Sequence, residues 1–588
     1  MNDRYYNEEL TYLLEAGREF AKRHPQKARM LHLDDVRDRD PNVERLLESF
    51  AFLTSRIRKQ LDDDFSQIAD GLLSIIWPDY LNPVPSFCLL EFTAQNWVES
   101  DVVKVPQFAE VDSEPGKENI RCRFRTCFET TIFPLDIIRA VVEPLGTTSC
   151  FKLTFSVKEG AQLSQYRQER IRIQFFGELL QCWQLYGLFL GINGKQPIAD
   201  SIDVELYDRY GGSIARQTFG PDVLSPNGLS QNENVLRSTS TTLWSYGLIR
   251  DFFVFPEKFQ GFSLDILDFV GANENVTEFT VSFKLNTHWP SNLRIAPENF
   301  RLNTVPIVNL FSHDSNPIRL DHSHHRYSVR GDIKYPEFYQ VYSIDRVEGL
   351  EFASGKQKRY QPLLSARSET RPEETCYYSV EREPSAWGGI ESYISFKNSE
   401  AQSGFPEEEI ISISLTCTNG KLPSSLLPGQ INNGVSGIDS KLSLCNISHP
   451  TKFTLPNNGE SSLWRWLSHA SLNFLNLLSA ENFRIMLQLH DFSSSEANSH
   501  RINGITNISL RPIRGFFRGA IVPGNGVEIT VNETHFSNSG EVQALARIFS
   551  QFLSSFASIN SFVEVTVLIE PSHQKIVLTR ELGTNNQL

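Results

Sequence analysis

The strongest candidate for chemistry in this 588-residue sequence is a cluster of imidazole and carboxylate side chains near its middle. Imidazole nitrogens and carboxylate oxygens are common ligands of zinc and iron, and such a centre could activate water for hydrolysis. The segment is polar, contains proline and lacks His-Glu-x-x-His, so it predicts a loop rather than rigid elements that would hold ligands. We therefore assign no metal, cofactor or catalytic residue, and keep a multidomain metal-dependent hydrolase as the alternative hypothesis. The cluster comprises His313, Asp314, Asp321, His322, His324 and His325.

Other motifs of catalysis are missing from the sequence. It contains no Gly-x-Ser-x-Gly elbow, no phosphate-binding Gly-x-x-x-x-Gly-Lys-Ser/Thr loop and no Gly-x-Gly-x-x-Gly turn. The run Gly524-Asn525-Gly526 predicts a hairpin turn. The acidic run Asp62-Asp63-Asp64 predicts a junction between two helices rather than a cation site, because carboxylates favour the positive N-terminal end of a helix. The sequence therefore predicts a protein that is not an enzyme.

The element predicted most clearly is an amphipathic helix that begins after Asp40. Asp40 suits the N-cap and Pro41 the first helical position, and apolar residues then recur at three-and-four spacing. The helix is about 22 residues long, and an apolar stripe of that length must pack against something, on this chain or another. The stripe consists of Val43, Leu46, Leu47, Phe50, Leu53, Ile57 and Leu61.

Two further helices are predicted beside it. One runs from about Tyr5 to Lys22, and the other begins at Phe65 and ends at Trp77-Pro78. Three prolines between residues 78 and 85 then favour an extended connection. The sequence thus predicts a helical region that ends near residue 85.

The rest of the chain is predicted to be rich in β-strands, with helices over about 179–190, from about 463 and after Asn538. The polar run 211–242 predicts a surface loop, and LIRDFFVFPEKFQGFSL predicts a turn whose aromatic side chains fill a core. The expected fold class is α+β and multidomain. The expected domains are a helical assembly region 1–85, a β-rich domain 86–299, a second β-rich domain 300–427 and a mixed domain 428–588.

The composition predicts a folded protein that stays in the cytosol. A hydrophobic content of 40% supplies material for packed cores, and 588 residues predict about four domains. The net charge of −14 disfavours nucleic acid as a partner, and Arg121, Arg123 and Arg125 alternate as a solvated strand face would. The sequence contains no membrane-spanning run and no signal-peptide core. Its eight cysteines are scattered, which predicts reduced core residues.

Several motifs resemble those of the TssF family, also called VasA or ImpG, which are baseplate components of the type VI secretion system. The resemblance extends from Tyr5 to Phe562. Gly420 departs from the family pattern, in which a charged residue is common at that place. The motifs are YYNEELTYLLEAGREFAKRHP, DPNVERLLESFAFLTSRI, LLSIIWPDYLNPVPS, FFVFPEKF, FRLNTVPIVNLF, LTCTNGKLP and LWRWLSHASLNFLNL.

This resemblance implies a structural subunit of the baseplate wedge, with a fold like that of phage baseplate wedges. It implies two copies of this chain per TssG, contact between the copies, and contacts with TssK, TssE, the VgrG hub and the sheath. The wedge would template polymerisation of the tail tube and sheath and transmit the contraction trigger. It would lie in the bacterial cytoplasm, at the inner face of the cytoplasmic membrane, without inserting into it.

The resemblance also gives the apolar stripe an expected partner. We predict that the N-terminal helices join a bundle with TssG and the second copy of this chain. The expected anchors are Leu46, Leu47, Phe50, Leu53 and Ile57. The competing interpretation is that the same face packs within its own chain, as amphipathic stripes commonly do.

Overall fold

The computed structural model separates the chain into two compact units. The first comprises Met1–Ile76 and Asn458–Ala470, and the second comprises Trp77–Asn457 and Ser471–Leu588. Among the described residues, no helix is long and apolar enough to cross a membrane. The structure describes residues 3–26, 41–94, 102–237, 243–321, 323–351, 355–363, 376–398, 408–456, 479–517 and 520–584.

In its described part, the first unit contains two long helices, α1 (Asp3–Arg23) and α2 (Pro41–Ile76). The predicted first helix is confirmed, and α2 ends immediately before Trp77-Pro78, as predicted. The predicted break at Asp62-Asp63-Asp64 is wrong, because α2 continues through this run as one helix of 36 residues. Aspartate lowers helix stability by only about 0.7 kcal/mol relative to alanine, and the run contains no proline or glycine to interrupt the backbone. Asp40, the predicted N-cap, lies outside the described residues.

The second unit contains six further α-helices among its described residues. The predicted helix over 179–190 is confirmed, and the predicted helix after Asn538 begins at Ser539. The predicted helix from about residue 463 lies outside the described residues. The six helices are α3 (Leu179–Leu190), α4 (Ser245–Val254), α5 (Leu267–Gly271), α6 (Ala480–His490), α7 (Glu496–Asn503) and α8 (Ser539–Ser554).

A six-stranded antiparallel sheet gathers strands from distant parts of the chain around one apolar core. It draws on three of the four expected domains, so its core is not made by one continuous segment, and the division into four domains stays a prediction. In spatial order the strands are Ile431–Ser436, Glu110–Ser113, Arg123–Thr126, Thr304–Val308, Phe87–Ala94 and Leu442–Asn446.

Two more antiparallel sheets lie between these strands in the sequence. The prediction of a surface loop over 211–242 is partly wrong, because Ser213–Phe219 pairs with Ala199–Tyr207 as an edge strand. One sheet has the order Ser213–Phe219, Ala199–Tyr207, Glu278–Leu285, Thr148–Val157 and Leu135–Leu145. The other has the order Leu224–Pro226, Gly261–Leu264, Ile171–Phe175 and Phe300–Arg301.

An eight-stranded sheet forms a separate apolar core. Its path is Phe311–Asp314, Glu409–Thr418, Gln340–Glu351, Gln357–Pro362, Cys376–Pro384, Ile390–Asn398 and Tyr327–Val329, with Ile318–Leu320 also paired to Glu409–Thr418. Two small ladders pair Val103–Val105 with Thr130–Ile132 and Ile192–Asn193 with Gln196–Pro197.

The C-terminal sheet contains a parallel pair that is connected through α8. Its strands are Ile505–Phe517, Ala520–Asn532, Phe562–Glu570 and Gln574–Val577, with Glu581–Leu582 also paired to Phe562–Glu570. The predicted hairpin turn at Gly524–Gly526 is wrong, since these residues lie within the second strand. A Cβ added at Gly524 would stand 2.4 Å from the Phe562 ring, so the glycine serves a close approach rather than a turn.

Candidate protein-interaction surface

Helices α1 and α2 pack on each other. On one side of α2, Ala51 and Leu73 are completely buried and Ser55 is almost so. At about 100° per residue, these three positions fall within an arc of about 40°. An ion pair also joins the two helices, because Arg58 donates to the Glu9 carboxylate at 2.7 Å. The buried side of α2 is therefore narrow, and most of the described side chains of this helix are exposed.

The apolar stripe predicted from the sequence lies on the opposite side of α2. Leu46, Phe50, Leu53 and Ile57 are each between 54% and 61% exposed. On the same helical wheel they fall within about 60°, centred roughly 150° from the buried side. Leu47 lies about 90° from the centre of the stripe and is half-buried. Of the five predicted anchors, four thus form one exposed face and the fifth borders it.

Burying this face against a partner would contribute free energy of association. Covering the exposed half of a leucine, isoleucine or phenylalanine contributes about 1 kcal/mol, so the four side chains together offer about 4 kcal/mol to a partner. Further large apolar side chains on these two helices are also more than a third exposed. They are Tyr12, Phe20, Phe52, Leu72 and Ile76.

The aromatic motif around Pro256 fills a core, as predicted. Phe252, Phe253, Phe255, Phe259 and Phe262 are all buried, at the end of α4 and in the turn and strand that follow it. The motif also carries a buried ion pair, which the sequence interpretation missed. The fully buried Lys258 ammonium lies 2.7 Å from the Asp251 carboxylate, joining α4 to the turn. The motif therefore stabilises the fold.

Two other motifs meet in a buried amide network. The Asn309 side-chain oxygen accepts from the Thr418 hydroxyl at 2.7 Å and from the Asn419 backbone N–H at 2.8 Å. Its side-chain nitrogen donates to the Arg123 carbonyl and to the Asn419 side-chain oxygen, both at 2.8 Å. The next residue, Gly420, has a φ of +58°, and a Cβ there would lie 2.3 Å from the Gln340 amide nitrogen. The positive φ, together with the Glu337 carbonyl oxygen 2.9 Å from such a Cβ, favours glycine at this position.

The histidine segment does not form a metal centre in its described part. His313 lies in a strand, where Nε2 is 3.1 Å from the Gly331 carbonyl oxygen and the ring stacks on Tyr339 at 5.2 Å. His324, His325 and Asp314 are exposed, and His322 lies outside the described residues. Among the residues described, no group of three histidine, cysteine, aspartate or glutamate side chains could hold a metal ion. The alternative hydrolase hypothesis gains no support.

Asp321, the remaining carboxylate of the segment, has local partners. It accepts hydrogen bonds from the Ser323 hydroxyl at 2.7 Å, the Ser323 backbone N–H at 3.1 Å and the Tyr327 hydroxyl at 3.0 Å. These bonds lower the pKa of Asp321 to about 2, and the bond from the Ser323 hydroxyl has the largest effect. The carboxylate therefore shapes the turn between two strands.

Six of the eight cysteines are buried, as the sequence predicted, and the other two, Cys376 and Cys445, are half-buried. Burial raises the pKa of Cys122 and of Cys182 to about 12, so these thiols stay protonated at neutral pH.

Some residues at possible binding surfaces escaped the sequence interpretation. Phe52 is exposed on α2 but lies outside the three-and-four spacing of the stripe. Arg125 was interpreted as part of a solvated strand face, yet its Nε atom is buried and the side chain lines a cavity. Alternation along a strand identifies one face of a sheet and does not reveal what covers that face.

Comparison with known proteins relates the chain to one family over nearly its whole length. The family model described as "Type VI secretion system, TssF" matches residues 2–581. The type VI secretion system component TssF1 of Pseudomonas aeruginosa is 27% identical over 618 aligned residues, which cover 96% of each chain.

Two solved structures share the fold. A chain of the TssK-TssF-TssG baseplate subcomplex of the type VI secretion system superposes with a TM-score of 0.77 at 24% identity. That match covers 93% of this chain and 99% of the other. A chain of the baseplate complex from the type VI secretion system gives a TM-score of 0.60 at 23% identity, with both chains covered completely.

Proposed function

This chain belongs to the TssF family of the type VI secretion system, and from that premise we propose that it is a structural subunit of the baseplate wedge. In this role it holds other proteins in position and carries out no reaction. The proposal is supported by the folds it shares with chains of two baseplate assemblies. The observation that carries it is the exposed apolar stripe on α2, because a stripe of that kind requires a partner.

The proposed partners follow from the family. The similar chain of known structure belongs to a subcomplex with TssK and TssG, and we propose that this chain binds both. We further propose two copies of this chain per TssG, with contact between the copies. The wedge would also meet TssE, the VgrG hub and the sheath. This arrangement would place the chain in the bacterial cytoplasm at the inner face of the cytoplasmic membrane.

We propose that the stripe on α2 is the surface that enters the shared helical bundle. Leu46, Phe50, Leu53 and Ile57 would insert between helices of TssG and of the second copy, and Leu47 would pack at the border. Arg58 and Glu9 already join α1 to α2, so the pair can dock as a preformed unit with little loss of conformational entropy.

The proposed mechanism is mechanical. A wedge made of stiff bodies with defined interfaces can switch between two packed arrangements, because packed interfaces tend to be bistable. Such a switch in the wedge contacts would release sheath contraction after the tube and sheath had been templated.

Native mass spectrometry of this chain co-expressed with the TssG-like protein of its own genome tests the proposal. We expect a complex with two copies of this chain per partner. The triple variant Leu46→Asp, Phe50→Asp, Leu53→Asp should abolish it, since three carboxylates cannot be buried in an apolar bundle.

The matched control is Ser74→Asp, which adds a negative charge at an exposed position on the same helix. It should leave the complex intact. A complex that survives the triple substitution would refute the stripe as the interface, and a wild-type chain indifferent to TssG would refute the wedge function itself.

A further inference from the structure

The second unit contains a polar cavity of about 900 Å³. This volume lies within the range of sites that hold small organic ligands. Its walls come from segments far apart in sequence, so the tertiary structure alone creates it. Four stretches provide most of the lining, namely residues 107–108, 125–133, 168–172 and 231–237.

Three arginines in this cavity stack on aromatic rings. The guanidinium groups of Arg125 and Arg237 both lie over the Phe108 ring, at 4.9 Å and 5.6 Å from its centroid. The Arg172 guanidinium lies over the Phe128 ring at 4.8 Å. A cation–π contact does not use the N–H groups of the guanidinium, so those that have no other acceptor can donate to an oxyanion.

Several buried hydrogen-bond donors on residues that line the cavity have no acceptor among the described residues. They include Nε of Arg125, Nε and Nη2 of Arg172, and the hydroxyl of Thr130, all of them buried. Leaving such a group unpaired costs about 1–3 kcal/mol, and more for a charged group. Burial also lowers the pKa of Arg125. A ligand that accepts hydrogen bonds and carries negative charge would relieve both penalties.

The carboxylates that line the cavity have basic partners of their own. Burial alone would raise the pKa of Glu233, but the charge of Arg172 and a hydrogen bond from the Ser230 hydroxyl lower it to about 2. In the described part of the chain, Arg125 and Arg237 have no carboxylate within 4.0 Å. The partnered groups are Glu129 and Glu169 with Lys104, Glu233 with Arg172, and the lining residue Arg170 with Asp265.

The backbone of Phe108, the residue whose ring contacts two of these arginines, has a strained conformation. Phe108 has a φ of +68°, which is unusual for an aromatic residue and costs about 1–3 kcal/mol. Its backbone N–H donates to the Thr126 carbonyl at 3.0 Å, which helps to hold the conformation. The ring of this strained residue lies beneath the guanidinium groups of Arg125 and Arg237.

We propose that this cavity binds an oxyanion-bearing small molecule, with the anionic group held by Arg125, Arg172 and Arg237. The four arginines and three glutamates of the lining leave one net positive charge. A singly charged carboxylate matches that balance better than a doubly charged phosphate. The site is independent of the assembly surface on α2 and would exist whether or not the chain builds a wedge.

The test is a titration of the full-length chain with the monocarboxylate butyrate and, separately, with inorganic phosphate, followed by thermal shift and calorimetry at an ionic strength held constant with NaCl. We expect saturable binding, with butyrate bound more tightly than phosphate. Arg237→Gln and Arg125→Gln should each weaken it by at least about tenfold, the loss expected for one charge-assisted hydrogen bond.

Arg209→Gln is the matched control, because it removes the same charge from an exposed turn and should leave the affinity unchanged. Arg237 is itself exposed, so its substitution should not disturb folding. Tighter binding of phosphate than butyrate would overturn the carboxylate preference. Two results would overturn the site: no response beyond that of NaCl, or equal binding by wild type and Arg237→Gln.

Discussion

Single residues in this protein act mainly by satisfying buried polar groups of segments that are distant in sequence. Asn309 is completely buried and uses its amide as both donor and acceptor, linking its own strand to Arg123 and to Asn419. An amide suits this position because two of its partners accept hydrogen bonds and the other two donate them. A carboxylate has the same shape but no donor, so it would lie against two acceptor oxygens.

Asn309→Asp should therefore destabilise the second unit strongly, although it changes the side-chain volume very little. The carboxylate would be buried, would lose two donors, and would lie beside the Arg123 carbonyl and the Asn419 side-chain oxygen. We expect a loss of about 3 kcal/mol or more, measured as a shift of the urea midpoint of tryptophan fluorescence.

The control for this substitution is Asn193→Asp, which makes the same chemical change at an exposed position in a short two-stranded ladder. Its urea midpoint should stay close to that of the wild type. Equal midpoints for Asn309→Asp and the wild type would show that the amide network contributes little.

Among the helices and strands, α2 shows best why a predicted break in an element can fail to form. Its apolar positions follow the helical period on both sides of the acidic run, and three aspartates are only weakly unfavourable in a helix interior. The helix also has a partner, since α1 packs on it. The backbone therefore continues as one helix instead of turning.

A distance measurement can distinguish one helix from two. Spin labels introduced through unnatural amino acids at Ser49 and Ser74 should give a single narrow distribution near about 37 Å, from about 1.5 Å per residue. Asp63→Pro should shorten and broaden it, because proline removes a backbone donor and clashes with the preceding turn.

Asp63→Ala is the control for that variant and should keep the long distance. A wild-type distribution centred well below the straight-helix value would mean that the acidic run is a turn after all, as the sequence alone suggested.

At the scale of the whole molecule, the second unit is tied together by strands from opposite ends of its sequence. Thr304–Val308 pairs with Phe87–Ala94 on one side and with Arg123–Thr126 on the other. Leu442–Asn446 adds to the far side of Phe87–Ala94. A fragment that lacks the later strands would expose long edges and lose half of a shared core.

We expect the fragment 86–299 to be insoluble or to unfold without cooperativity when it is expressed alone. The fragment 77–588, which contains the whole second unit, should be soluble and melt with a sharp calorimetric transition. A cooperative transition in the fragment 86–299 would contradict this and favour the four-domain division expected from the sequence.

The sequence by itself determined the local elements and the core-forming motif. The stripe on α2, the alternating strand Glu278–Leu285 and the aromatic cluster around Pro256 were predictable, because apolar periodicity and aromatic density follow from neighbours along the chain. The resemblance of short motifs also identified the family, which the match over residues 2–581 confirms.

The tertiary structure decided what depends on residues far apart in the sequence. The order of strands in the six-stranded sheet, the role of Gly524 beneath Phe562, and the partners of Asn309 are all set by such contacts. The same reason explains Arg125, whose alternation along a strand predicts exposure while Phe108 and the cavity walls partly bury it. The local sequence pattern thus specifies on which face of a helix or strand a side chain lies. Only packing between distant segments specifies which residues cover that face.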